Sequence, residues 1–152
     1  MNAEQHFLPH VTVATVVERQ GRFLLVEEYS HQEKVLNQPA GHLDANETLA
    51  EAAIRETFEE TRWRISLEGV LSLNLYRSPQ NGTTYYRTTF VGRAIEEDPS
   101  AALDEGIIQP LWLSLDEIKA RREQLRSPLV LDTVEQYLRQ PHYPLKILGD
   151  HR

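Results

Sequence analysis

Glu56, Glu59 and Glu60 stand at i, i+3 and i+4 of a segment rich in alanine, glutamate and leucine. On a helix these three carboxylates fall on an arc of roughly 100° and converge, with Ala52 between them leaving room above the helix surface. Like charges at this spacing destabilise a helix, so the cluster calls for a compensating cation. Three oxygen donors on one rigid face are what a hard divalent ion such as Mg²⁺ requires. A solvated acidic face is the commoner reason for three glutamates on a helix, and the residues just upstream weigh against it. Gly41 lets backbone approach closely, so a main-chain carbonyl of Ala40 or Gly41 can complete a coordination shell. Arg55 can hold a glutamate in place through a charge-assisted hydrogen bond.

These groups must be positioned by a helix running from Glu47 to about Thr61, with Asn46 as N-cap. Its apolar half comprises Leu49, Ala50, Ala53, Ile54, Thr57, Phe58 and Thr61. Before it, His10 to Arg19 reads as a strand apolar on both faces, with Val11, Val13, Thr15 and Val17 on one and Thr12, Ala14 and Val16 on the other. Gln20-Gly21 turns the chain into a second strand, Arg22 to Glu28. Residues 29 to 34 read as a polar loop, and Val35 to Pro39 as a short extended piece. Strands follow at Ile65 to Tyr76 and Tyr85 to Ile95, around a turn region at 78 to 82, and at Ile107 to Leu113. Ser114 and Glu117 form a capping-box signature for a short helix to about Arg122. Ser127-Pro128 starts a last helix, with Val130, Val134, Tyr137 and Leu138 on one face. The order β-β-β-α-β-β-β-α-α predicts an α/β protein, a mixed sheet with helices packed on its faces.

The 152 residues suit one domain, 1–152. With 16 Lys+Arg against 23 Asp+Glu the formal charge is −7, which argues against nucleic-acid binding by charge but not against a phosphorylated small molecule, since a bound cation reverses the local sign. The absence of cysteine excludes disulfides and thiolate metal sites and agrees with a cytoplasmic location. No apolar run approaches the ~20 residues of a membrane helix, and Met1 to Phe7 has no secretory-signal character.

The segment Gly41-His42-Leu43-Asp44-Ala45-Asn46-Glu47, followed seven residues later by Arg55-Glu56-Thr57-Phe58-Glu59-Glu60, resembles the Nudix box. Two positions depart from it: Thr57 replaces an apolar residue and Arg62 replaces the closing glycine, while Trp63 fits the final bulky position. A left-handed residue at Arg62 would cost on the order of 1 kcal/mol. Further stretches, Pro9-His10-Val11-Thr12-Val13, Gln38-Pro39-Ala40-Gly41-His42-Leu43, Leu125-Arg126-Ser127-Pro128-Leu129-Val130 and Tyr143-Pro144-Leu145, are similar to the NudJ-type phosphatase subgroup.

The resemblance implies a Nudix fold, a mixed β-sheet sandwiched between helices (α/β/α). It implies Mg²⁺-dependent cleavage of phosphoanhydride bonds in nucleoside tri- and diphosphates and thiamine-pathway pyrophosphates, by metal-activated water attack on phosphorus, with Mn²⁺ able to substitute. Glu56, Glu59 and Glu60 would be the metal-site carboxylates, joined by Ala40 and Gly41. Glu56, Glu60 and Arg55 would be catalytic, and Glu47 would fix the loop–helix junction. Family members often add an acid from the loop before the last strand, for which Glu105 is the first candidate and Asp104 the second. Asn37, Gln38, His42, Tyr76, Arg77 and Arg87 are candidates for substrate contacts, and Trp112 for the core. The expected partner is a small phosphorylated molecule, with neither nucleic acid nor membrane, and the chain a monomer or homodimer. The alternatives are a nucleotide-binding module without turnover and a structural α/β domain with solvent-facing glutamates.

Overall fold

The structure is a computed structural model and describes residues 6–151. Strand β1 (His10–Arg19) reverses at Gln20 and Gly21, whose φ angles of 53° and 76° match a tight hairpin turn, into β2 (Arg22–Ser30). A second positive-φ pair, His31 (49°) and Gln32 (69°), turns β2 into β3 (Glu33–Asn37). Residues 29 to 34, expected as a loop, therefore form a hairpin with Tyr29 opposite Lys34 and Ser30 opposite Glu33. After Pro39 comes β4 (Ala40–His42), a three-residue strand too short to leave a pattern in the sequence. The remaining elements are α1 (Leu49–Thr61), β5 (Trp63–Arg77), β6 (Thr84–Glu97), β7 (Ile107–Ser114), α2 (Leu115–Ala120) and α3 (Leu129–Arg139).

The seven strands form a mixed sheet whose main path is β3-β2-β1-β6-β5, with β4 on β1 and β7 on β2. Among the described strands, only the β1–β6 pair runs parallel. Because β1 meets β2 only at its end, at Glu18 and Arg19, its free side is open to β4. Period-two alternation along β1 then serves two cores. Val13 packs with Val70, Phe90 and the α1 residues Ala52 and Ala53, whereas Val16 packs with Phe23, Leu36, Ile118 of α2 and Val130 and Val134 of α3. Both apolar faces of β1 are thus covered by helices, as its sequence requires. Trp112 is half-buried and meets Trp63 edge-on at 5.6 Å between ring centroids.

Helix α1 differs from its sequence expectation in register and start. It begins at Leu49, capped by the Thr48 hydroxyl accepting from the Glu51 amide, while Asn46 sits in the preceding turn at φ 67°. Its buried residues are Ala52, Ala53, Thr57, Glu60 and Thr61, and Ile54 is 40% exposed. Turning the small alanines inward lets the helix approach the sheet closely and carries Glu60 inside. The threonines tolerate burial because their hydroxyls donate to the carbonyls one turn back, Thr57 to Ala53 at 2.8 Å and Thr61 to Thr57 at 2.6 Å. The helix ends on Arg62 in the left-handed region (φ 67°), with its amide donating to the Phe58 carbonyl at 2.8 Å and its Nε to Ala101 O at 2.6 Å.

The capping box forms as expected: the Ser114 hydroxyl accepts from the Glu117 amide and donates to the Glu117 carboxylate. α2 stops at Ala120, and a 3₁₀ turn at Arg122–Gln124 follows. In α3, Val130 and Val134 are buried and Tyr137 packs against Phe23, but Leu138, expected on the same face, is 51% exposed. Among the described residues no helix is long and apolar enough to cross a membrane.

Candidate functional site

The site lies where α1 crosses β4. Gly41, paired with Val13 of β1, is the point of closest approach: a Cβ there would overlap the Glu56 carboxyl group. One turn on, the Glu60 carboxylate accepts the Ala40 amide at 2.8 Å. Glu60 is only 7% exposed, and burial pushes its carboxyl up to about 9, against the pull of the Ala40 amide and reinforced by the charges of Glu28, Glu56 and Asp104. Burial also raises Glu56, which Arg55 partly offsets, and raises Glu59, with Asp104 as the second cause.

Arg55 is the hub of this acidic surface. Its Nε and Nη2 donate to the two oxygens of Glu47 at 2.9 and 2.6 Å, a bidentate fork. Its Nη1 donates to Glu56 at 2.8 Å and Glu59 at 3.1 Å, and Nη2 also reaches the His42 carbonyl at 3.1 Å. Glu47 in turn accepts the Asp44 amide at 2.8 Å, tying the loop to the helix, and its carboxyl is held low chiefly by the Arg55 hydrogen bond.

The loop before β7 brings in a further carboxylate. The Asp104 amide donates to the Glu59 carbonyl at 3.1 Å, which fixes that loop against α1. Glu56, Glu59 and Asp104 each offer a carboxylate oxygen, all within 4.8 Å of one another. The sequence put Glu105 ahead of Asp104; both are exposed, and it is Asp104 whose carboxylate joins the cluster. Glu60 stands outside this trio, on the Ala40 amide. The donor set is all hard oxygen, and burial and crowding push the two glutamates up, a penalty that a divalent cation would relieve; the residues fit Mg²⁺.

Beside the acids opens a cavity of about 270 Å³. Ala40, Gly41, Glu60, Asn37, His42, Tyr76 and Arg87 all line it. Gln38 does not: it is buried behind the wall, its Nε2 donating to Val130 O of α3 at 2.8 Å and its Oε1 accepting from Arg87 Nη2 at 2.9 Å. Arg77 is exposed and does not line the cavity, although its neighbours Tyr76 and Ser78 do. His42 shares a hydrogen bond with His10 (Nε2 to Nδ1, 2.9 Å), and its ring is pushed towards the neutral form by burial and then by His10. Among the cavity residues that escaped the sequence reading are Glu28 and Arg126, joined at 2.5 Å. Glu28 shares a face of β2 with the buried Leu24 and Val26, and that alternation was its available signal.

The family model described as "NUDIX domain" matches residues 6–133. The chain is 40% identical over 144 residues to "Phosphatase NudJ" from Shigella boydii serotype 4 and from Escherichia coli K12, covering 95% of this chain and 93% of each relative. It superposes on a solved "NUDIX hydrolase from Nitrosomonas europaea" with a TM-score of 0.93 and 41% identity, covering 95% of this chain and 98% of that one. An ADP-ribose pyrophosphatase from Streptococcus suis shares the fold at a TM-score of 0.66 and 14% identity, over 90% and 96% of the two chains.

Proposed function

The chain belongs to the NUDIX family and is a phosphohydrolase, and on that premise we propose that it cleaves nucleoside tri- and diphosphates and thiamine-pathway pyrophosphates with Mg²⁺ as its cofactor. The observation that carries this reading is the convergence of carboxylate oxygens from Glu56, Glu59 and Asp104 within 4.8 Å. Mg²⁺, or Mn²⁺ in its place, would be held there and would supply neutralisation of phosphate charge and a lowered pKa for bound water. The chain's own residues do the rest. Arg55 holds Glu56 and Glu59 in a fixed orientation through Nη1 while its fork is anchored on Glu47. Glu56 is the carboxyl group suited to accept the proton released when water attacks phosphorus, and Glu60, on the cavity side of the helix, would add an oxygen to the cation's shell. Glu60 is kept in place by the Ala40 amide, and the cavity beyond it receives the remainder of the substrate.

The match to "Phosphatase NudJ" relatives along 95% of the chain supports a phosphatase, and the substrate class is what the resemblance of the subgroup stretches implies. The test is to incubate purified protein with several nucleotides and with thiamine pyrophosphate, with Mg²⁺ and with chelator, and to measure phosphate release. Mg²⁺-dependent release is expected, falling by orders of magnitude in Glu60→Gln with the fold intact. Binding without release would overturn the enzyme in favour of a recognition module.

A further inference from the structure

We propose that Arg87 binds an anionic phosphoryl oxygen of the substrate at the cavity wall, and that Gln38 is the positioning residue that holds its guanidinium there. The inference rests on the phosphohydrolase reading and adds a contact in the cavity beside the acidic cluster. Arg87 lies on β6, opposite Thr12 of β1 and Asn74 of β5. It is 6% exposed yet lines the cavity, and among the described residues no carboxylate pairs with it. Burial is the cause of its lowered pKa of about 10, so it stays charged near neutrality.

A guanidinium has five N–H donors. Two are used here, both on neutral acceptors: Nη2 on Gln38 Oε1 at 2.9 Å and Nε on Thr89 Oγ1 at 3.3 Å. Nη1 makes no hydrogen bond within the described residues. The other arginines of the region are already committed, Arg126 to Glu28 and Arg55 to Glu47, Glu56 and Glu59. Arg87 is therefore the cavity's uncompensated cation. A buried charge without a counter-charge is expensive. A neutral acceptor would leave that charge in place, whereas a phosphoryl oxyanion cancels it and suits the planar donor geometry.

Gln38 is built for a supporting role. It is 2% exposed, and its amide spans from the Val130 carbonyl of α3 to Arg87, so the guanidinium is tied to a helix on one side and to Thr89 on the other. Because its contribution is a neutral acceptor, Gln38→Glu would put a carboxylate at nearly the same place and quench the charge that the ligand is meant to meet.

The test titrates metal-free wild-type protein with inorganic phosphate and follows the arginine side-chain NMR signals, with the Arg87 signal assigned by its loss in Arg87→Lys. A saturable shift of the Arg87 signal is expected, with the affinity for phosphate reduced about tenfold in Gln38→Glu. In turnover with Mg²⁺, Gln38→Glu should raise KM about tenfold and leave kcat within about threefold. An Arg87 signal that phosphate does not move overturns the anion site, and an unchanged phosphate affinity and KM in Gln38→Glu overturns the positioning role. If Gln38→Glu does not fold, the wild-type titration still decides the anion site, and Gln38→Met, which removes the acceptor, takes its place for the positioning role. Failure of the phosphohydrolase reading would look different: no nucleotide or thiamine pyrophosphate would be hydrolysed with Mg²⁺, whatever Arg87 binds.

Discussion

Gly41 and Glu56 occupy adjoining space so closely that a single methyl group on Gly41 would overlap the Glu56 carboxyl. The glycine at the start of the box and the glutamate fifteen residues later are thus one device: the missing side chain is the seat of the carboxylate. Gly41→Ala should push Glu56 aside rather than unfold the protein, because the obstructed atoms are the end of a flexible side chain. A loss of roughly a hundredfold in kcat is expected from such a displacement, with little change in melting temperature. Steady-state kinetics alongside a thermal melt check it.

Arg55 touches three glutamates and a carbonyl, and two of its contacts form a planar fork on Glu47. A point charge cannot reproduce that fork, so Arg55→Lys should behave nearly as poorly as Arg55→Met. Both are expected to weaken Mg²⁺ affinity and activity by about 10- to 100-fold. Calorimetric titration with Mg²⁺ together with turnover would show it, and full rescue by lysine would contradict the orienting role.

The metal-free protein should lose stability as pH rises. Burial raises the folded-state pKa of Glu60 from 4.5 to about 9, so its contribution is fully present below about 4.5 and is lost as pH climbs towards 9. Glu56 and Glu59 are shifted in the same direction. His42 and Glu47 are shifted downwards, so their contributions are lost on acidification, below neutrality, and do not mask the alkaline trend. Melts in chelator should fall between pH 7 and 9, and Glu60→Gln should flatten the slope.

Arg62 closes α1 with a left-handed φ of 67°. Glycine would adopt that conformation freely and alanine would not, while both lose the Nε bond to Ala101. Arg62→Gly should therefore be more stable than Arg62→Ala by about 1 kcal/mol in denaturant unfolding.

Much of this was written in local patterns. Alternation along β1 foretold a strand covered on both faces, and the i, i+3, i+4 spacing of the glutamates foretold an acidic face on α1. What escaped depended on contacts between distant segments. Ala52 is buried because α1 packs on Val13, Val70 and Phe90 of the sheet, and Glu60 because its carboxylate meets the amide of β4, a three-residue strand with no periodicity to read. Asp104 rather than Glu105 reaches the acids because its amide bonds to the Glu59 carbonyl, a tertiary contact that spacing alone does not encode. Gln38 looked like a ligand-binding amide, but its two bonds run to Val130 and Arg87. The departures at Thr57 and Arg62 were visible as anomalies, and their remedies, a bond one turn back and a bond to Ala101, lie in the folded structure.

On the proposed reading, Glu56, Glu59 and Asp104 together hold a divalent cation used for hydrolysis of a phosphoanhydride. The most direct measurement is phosphate release from a nucleoside triphosphate across a Mg²⁺ titration, for wild type, Glu56→Gln and Asp104→Asn, with the exposed strand residue Glu33→Gln as control. Expected are release that chelator abolishes, a drop of about a thousandfold in Glu56→Gln, a raised Mg²⁺ requirement in Asp104→Asn and no change in the control. Release that persists in chelator, or that Glu56→Gln leaves at the wild-type rate, would contradict it.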